Sequence, residues 1–304
     1  MILRERQLLQ SEIVTLEELI SQTPEEDVID RKSLESRKRK VEAELSFLSL
    51  PYYEPARGRL KFRGKPIVRC QGVYADFAGH ALDKYAKMVH ALGADQSLEL
   101  GSRGTIPHKE EFQLMVTGTT TGSFGFEIEE APKYSRLSTE LSPAKAAMEK
   151  ANIIMELSSG ASDDVIAEAI EETSTRAIDA IRAFLEVMED SGAEFSIELD
   201  DKFLPFFGLE QIKRTRERLR PENIHEWEGE LSGKFQGALP DGRTFEFHIE
   251  DRNEVIRGKI GSEIVDPIEI NYIVKKPIKI RVHAKQVGTS RPTYKLLGYE
   301  ELKE

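Results

Sequence analysis

The sequence predicts an α+β protein in three parts. An N-terminal helical hairpin of coiled-coil character leads into a middle α+β domain with a small antiparallel sheet and long helices. A small C-terminal β-barrel, OB-like or SH3-like, completes the chain. Three observations carry this. Leu8, Leu9, Ile13, Leu16 and Ile20 recur near helical spacing at the start. From Trp227 onward, short alternating runs are separated by turn residues, the mark of a small barrel or sandwich. Between them, capped helical stretches mix with short alternating ones. The expected parts are residues 1–50, 56–221 and 222–304.

In the first part, Thr23-Pro24-Glu25-Glu26 reads as a capped restart with Pro at the first helical position. The second arm carries Val28, Leu34, Val41, Leu45 and Leu48 around Arg37-Lys38-Arg39-Lys40. A narrow apolar stripe on two charged helices suits a seam buried against a partner, so self-association is expected; packing back onto the same chain is the alternative. The basic run is flanked by Glu35, Glu42 and Glu44, as on a solvated helix face.

After a linker at Pro51–Pro55, residues 57–69 hold no acid. Arg57, Arg59, Lys61, Arg63, Lys65 and Arg69 share one parity, and Leu60, Phe62 and Val68 the other. Side chains alternate across a strand, so one face is core and the other a row of cations. Such a row suits phosphates, carboxylates or an acidic partner. The alternative is edge protection, or pairing with Glu127 and Glu129 on a later hairpin, Gln113–Thr117 and Ser123–Glu130.

A helix is expected over Tyr74–Leu92, ended by Gly93. On it Asp76, His80 and Asp83 lie one turn apart, as three ligands of one metal would, although Lys87 on the same stripe repels a cation. Further helices are expected from Ser142-Pro143 to Ser158 and from Ser162 to about Ser191, then a strand over Glu194–Asp200. A basic helix with Lys213, Arg214, Arg216, Arg218 and Arg220 follows. The last part holds the expected strands Trp227–Leu239, Thr244–Glu250, Glu254–Ile260, Ile268–Ile273, Ile278–Val287 and Thr293–Tyr299. On the run from Ile278, Lys279, Arg281, His283 and Lys285 share one face.

The totals exclude several classes. The chain has 304 residues, 39% hydrophobic and 32% charged, enough for two cores and an appendage. No apolar run approaches the roughly 20 residues that span a bilayer. The N-terminus reaches acidic residues before any long apolar core, which is unlike a signal peptide, so a cytoplasmic location and no membrane partner are expected. Cys70 is the only cysteine, which excludes an intramolecular disulfide and a Cys-rich zinc site. No Gly-x-Ser-x-Gly or His-Glu-x-x-His occurs, and no metal or cofactor is expected. A net charge of −11 argues against wholesale binding to nucleic acid, but leaves room for a local basic face.

The expected function is therefore a non-catalytic accessory protein. It forms a homo-oligomer or joins a complex and binds an anionic partner, nucleic acid or an acidic protein surface, through Arg57, Arg59, Lys61, Arg63, Lys65, Arg69, Lys279, Arg281 and Lys285. One alternative is a metal-dependent or hydrolytic enzyme with a site near Asp76 and His80. Another is a purely structural subunit whose basic strands only pair with its own acids.

Overall fold

The computed structural model describes residues 2–24, 27–47, 55–69, 71–97, 100–101, 103–120, 124–131, 142–199 and 202–302. Cys70, most of the linker before Pro55 and the connection at 132–141 lie outside them. Among the described residues no helix is long and apolar enough to cross a membrane.

Helices α1 (Ile2–Gln22) and α2 (Val28–Phe47) lie against each other. Leu16 and Val41 are buried between them, and Arg37 pairs with Glu12 at 2.7 Å and Lys38 with Glu17 at 2.8 Å.

The middle part is an antiparallel sheet of five strands in the order β4-β5-β1-β6-β7. They are β1 (Arg57–Gly64), β4 (Leu114–Thr120), β5 (Gly125–Glu130), β6 (Ala193–Leu199) and β7 (Lys202–Phe207). The short pair β2 (Ile67–Val68) and β3 (Gly72–Val73) stands apart. Helices α3 (Ala75–Ser97), α4 (Pro143–Gly160) and α6 (Thr175–Ser191) pack on one face of the sheet; α5 (Asp163–Ala169) and α7 (Leu209–Arg218) complete the layer. The alternation in β1 decides which side is core: Leu60 and Phe62 point inward, against Phe77, Tyr85, Phe184 and Phe195. Phe62 and Phe77 meet edge to face at 5.2 Å. Each fully buried Phe stabilises the fold by roughly 1.5–3 kcal/mol relative to exposure.

The C-terminal strands β8 (Ile224–Leu239), β9 (Thr244–Ile249), β10 (Glu254–Ile260), β11 (Ile278–Val287) and β12 (Thr293–Glu301) close into a ring, β10-β12-β11-β8-β9. Only β10 and β12 run parallel; the other neighbours are antiparallel. Phe235, Phe245, Phe247, Ile280, Val282 and Leu296 fill the interior. At the β10–β12 crossing Gly258 is required, because a Cβ there would sit 2.1 Å from the Tyr294 carbonyl oxygen.

Several expectations need correction. Ile268–Ile273 is no strand: it forms the short helix α8 (Glu269–Tyr272). Asp266 accepts from the Ile268 amide at 2.9 Å and starts a turn, while the Asn271 side chain pairs with both backbone groups of Ala238. Gly93 does not end α3. Its missing side chain makes room for the Phe112 ring, whose atoms would lie 2.3 Å from a Cβ, and the helix continues to Ser97. The helix expected over 162–191 is two, α5 and α6, broken at residues 170–174 where Ser174 caps α6 through the Ala177 amide. Strand β7 was not expected; it contains Pro205, which an edge strand tolerates. Lys65 and Arg69 leave the face of β1. Lys65 follows Gly64 (φ +102°) into a turn, and Arg69 has φ 50°.

Helix α5 ties the two larger parts together. At its start, Asp163 accepts from Arg218 at 2.7 Å and from the Thr289 amide at 3.2 Å, and Asp164 accepts from the Arg291 amide at 2.9 Å. At its end, the Lys285 ammonium donates to the carbonyls of Ile170 at 3.2 Å and Thr173 at 2.7 Å. Exposed carbonyls at a helix C-terminus attract a cation, which explains why a lysine is buried there.

Candidate functional site

The two basic rows sit on different surfaces. On β1, Arg57, Arg59, Lys61 and Arg63 project from the sheet face opposite the helices, between carboxylates of both neighbouring strands. The register puts Arg57 across from Glu129 and Arg59 across from Glu127 on one side and Glu198 on the other. Arg57 lies 3.8 Å from Glu129, Arg59 lies 3.6 Å from both Glu127 and Glu198, and Lys61 pairs with Glu198. The Arg63 guanidinium stacks 3.5 Å over the Phe206 ring. The hollow above Arg57 and Arg59 is shallow, about 330 Å³.

The basic helix α7 is also engaged within the chain. Arg216 pairs with Glu186 and Glu189, Arg218 with Asp163 and Arg220 with Glu217, and Arg214 donates to the Ser159 carbonyl.

The β11 row behaves differently along its length. Its apolar side, Ile278, Ile280, Val282 and Ala284, is fully buried, as the parity requires. On the other side Lys279 pairs with Glu230 at 2.5 Å, which raises the lysine pKa. Lys285 is 4% exposed and, beyond the α5 carbonyls, meets Glu226 at 3.0 Å. Arg281 is exposed and has no ion pair or hydrogen bond among the described residues.

Arg281 lines a cleft of about 1450 Å³ between the middle part and the ring. Its floor is made where three helices converge. Asp95, near the end of α3, accepts from the Ser174 amide with both oxygens at 3.2 and 3.1 Å. Lys150 of α4 stands 3.8 Å from Asp95 and donates to the Glu172 carbonyl at 3.4 Å. Burial pulls the Lys150 ammonium below the usual lysine pKa, against the opposing pull of Asp95 and Glu172. One wall is the α5–α6 turn, Glu171 to Thr175. The other is the outer surface of the ring, with Glu226, Glu228, Lys259, Arg281, His283 and Lys295.

Burial raises the Glu171 carboxyl above the usual range; Lys259 draws it back, and Glu172 pushes it up. Thr173 is 1% exposed, and its hydroxyl meets no hydrogen-bond partner among the described residues. The cleft thus offers anchored groups of both signs, which suits binding.

Asp76 and His80 stand exposed on α3, and Asp83 is paired with Lys87 at 2.9 Å. Among the described residues no three His, Cys, Asp or Glu side chains come together as metal ligands would. Of the cations expected to meet a partner, the structure brings Arg281 and Lys285 to the cleft and leaves the β1 row outside it. Lys150, Glu171 and Lys259 were not singled out from the sequence. The one available signal was Thr173-Ser174-Thr175, a cap pattern inside the expected long helix. No protein-family model, no curated protein and no solved structure matches the chain, so the cleft is read from its own geometry.

Proposed function

We propose that the protein is a non-catalytic binding protein that self-associates through α1 and α2 and takes an anionic group of its partner in the cleft. The observation that carries this reading is a contrast. The side chains of Lys259 and Arg281 line the cleft without an ion pair or hydrogen bond among the described residues, while most of the cations expected from the sequence, Arg281 aside, are already neutralised or stacked. The strand order supports an OB-type rather than an SH3-like ring: counted from β8 it is 1-2-3-5-4, closing on 1, with one parallel pair. Barrels of that type present their outer strands and loops to ligands. Self-association is supported by the seam of the helix pair. Leu9, Ile13, Ile20, Leu34 and Leu45 are only half-buried, and Leu8 is 66% and Leu19 44% exposed.

The test is fluorescence anisotropy with a labelled polyglutamate peptide and a labelled oligothymidylate across a salt series. Binding that weakens with salt and is lost in the Lys259→Glu, Arg281→Glu double variant is expected. Absence of binding to both probes at low salt overturns the reading. The ladder on β1 favours a second reading, a structural subunit whose cations serve only its own sheet. Under it, Lys259→Glu with Arg281→Glu changes nothing, and reversing Arg59 and Lys61 unfolds the sheet.

A further inference from the structure

We infer that the occupant of the cleft is an extended polypeptide segment carrying acidic and basic side chains together, contributed by a protein partner; this rests on the binding role proposed above. The first ground is charge. Eight carboxylates and seven Lys or Arg cations line the cavity. A uniform polyanion such as nucleic acid would be repelled by the first set as much as attracted by the second. A ligand bearing both signs satisfies both.

The second ground is where unpaired charge remains. Among the described residues Lys259 and Arg281 on the ring side have neither ion pair nor hydrogen bond, and the carboxylates of Glu171 and Glu172 on the helical side have none either. Glu228 beside His283 gives the ring side an acid as well. Side chains of an extended peptide point alternately to opposite sides, so one segment can turn carboxylates to Lys259 and Arg281 and cations to Glu171 and Glu172.

Size agrees with this. At about 1450 Å³ the cleft is larger than a small-molecule pocket, which runs to about 1,000 Å³.

The experiment compares four labelled probes by anisotropy at one ionic strength: an alternating Glu-Lys peptide, polyglutamate and polylysine of the same length, and an oligothymidylate. The alternating peptide is expected to bind about tenfold more tightly than any other, the effect of two partly exposed ion pairs. The Glu171→Gln, Glu172→Gln double variant should lose that advantage while its polyglutamate affinity stays the same or rises. Glu171 and Glu172 hold nothing in place with their carboxylates, so the variant keeps its fold; circular dichroism checks this. If polyglutamate or the oligothymidylate binds as tightly as the alternating peptide, the inference is overturned and the anionic-partner reading survives. If polylysine binds best, both are overturned, as they are if no probe binds.

Discussion

At the α5–α6 turn the Glu171 carboxylate is half-buried and makes no ion pair or hydrogen bond among the described residues, so its ionisation works against folding. The sign follows from linkage. Its folded pKa is raised above the value of about 4.5 of a free glutamate, so its contribution is fully favourable below that value and is lost as pH rises through the folded pKa. Glu171→Gln should therefore be more stable than the wild type to urea at neutral pH, and the difference should vanish below about pH 4. A less stable variant at neutral pH would mean that the carboxylate has a structural partner. A charge kept where it destabilises is what a binding residue looks like. The sequence could not have shown this. Lys279 and Lys285 make the same point: both lie on the charged side of β11, yet one faces solvent beside Glu230 and the other is buried. What separates them is α5, whose end lies 115 residues away in the chain.

At the scale of elements, local periodicity does most of the work. The parity of β1 and β11 located their core faces and put Arg281 on the outer face of its strand; that this face borders a cleft depends on the middle part packed beside it. The failures share one cause, a distant contact that overrules a local signal. Gly93 reads as a helix stop, but Phe112 occupies the space its side chain would take. The run Asp163 to Ser191 reads as one helix, but Lys285 takes the carbonyls that would have continued α5. Lys259 went unnoticed because Arg257 and Lys259 are only two cations in a short strand that opens on Glu254, too few to mark a basic face. The Gly93 argument predicts a measurable cost. In a helix interior Gly→Ala ordinarily stabilises by about 1 kcal/mol. Here the new Cβ would meet the buried Phe112 ring, so Gly93→Ala should instead destabilise by roughly 1–3 kcal/mol in urea titration. Adding Phe112→Leu should recover part of the loss, because the smaller side chain yields. A stabilised Gly93→Ala protein would contradict the packing.

For the whole molecule, the decisive feature is that the ring and the middle part share α5. Asp163 and Asp164 hold the turn between β11 and β12, Lys285 holds the other end, and Val287 enters the middle core. A clamp at both ends of a short helix fixes the separation of the cleft walls, and a binding site whose walls are fixed loses less entropy on occupation. It also couples two cores that would otherwise unfold separately. The chain supplies a reporter for each. Trp227, the only tryptophan, lies in β8 of the ring, while the long helices lie outside it. In the wild type, urea unfolding followed by tryptophan fluorescence and by far-ultraviolet circular dichroism should give coincident curves. In the Asp163→Ala, Lys285→Met double variant the carbonyls of Ile170 and Thr173 lose the lysine donor, and the β11–β12 turn loses the Asp163 acceptor. The two curves should then separate, each with a shallower denaturant slope than the wild type, because each unit exposes less surface on its own. Separate curves in the wild type would show the two parts to be independent, with a cleft of variable width. Coincident curves in the variant would place the coupling in the shared core around Val287 rather than in the clamp.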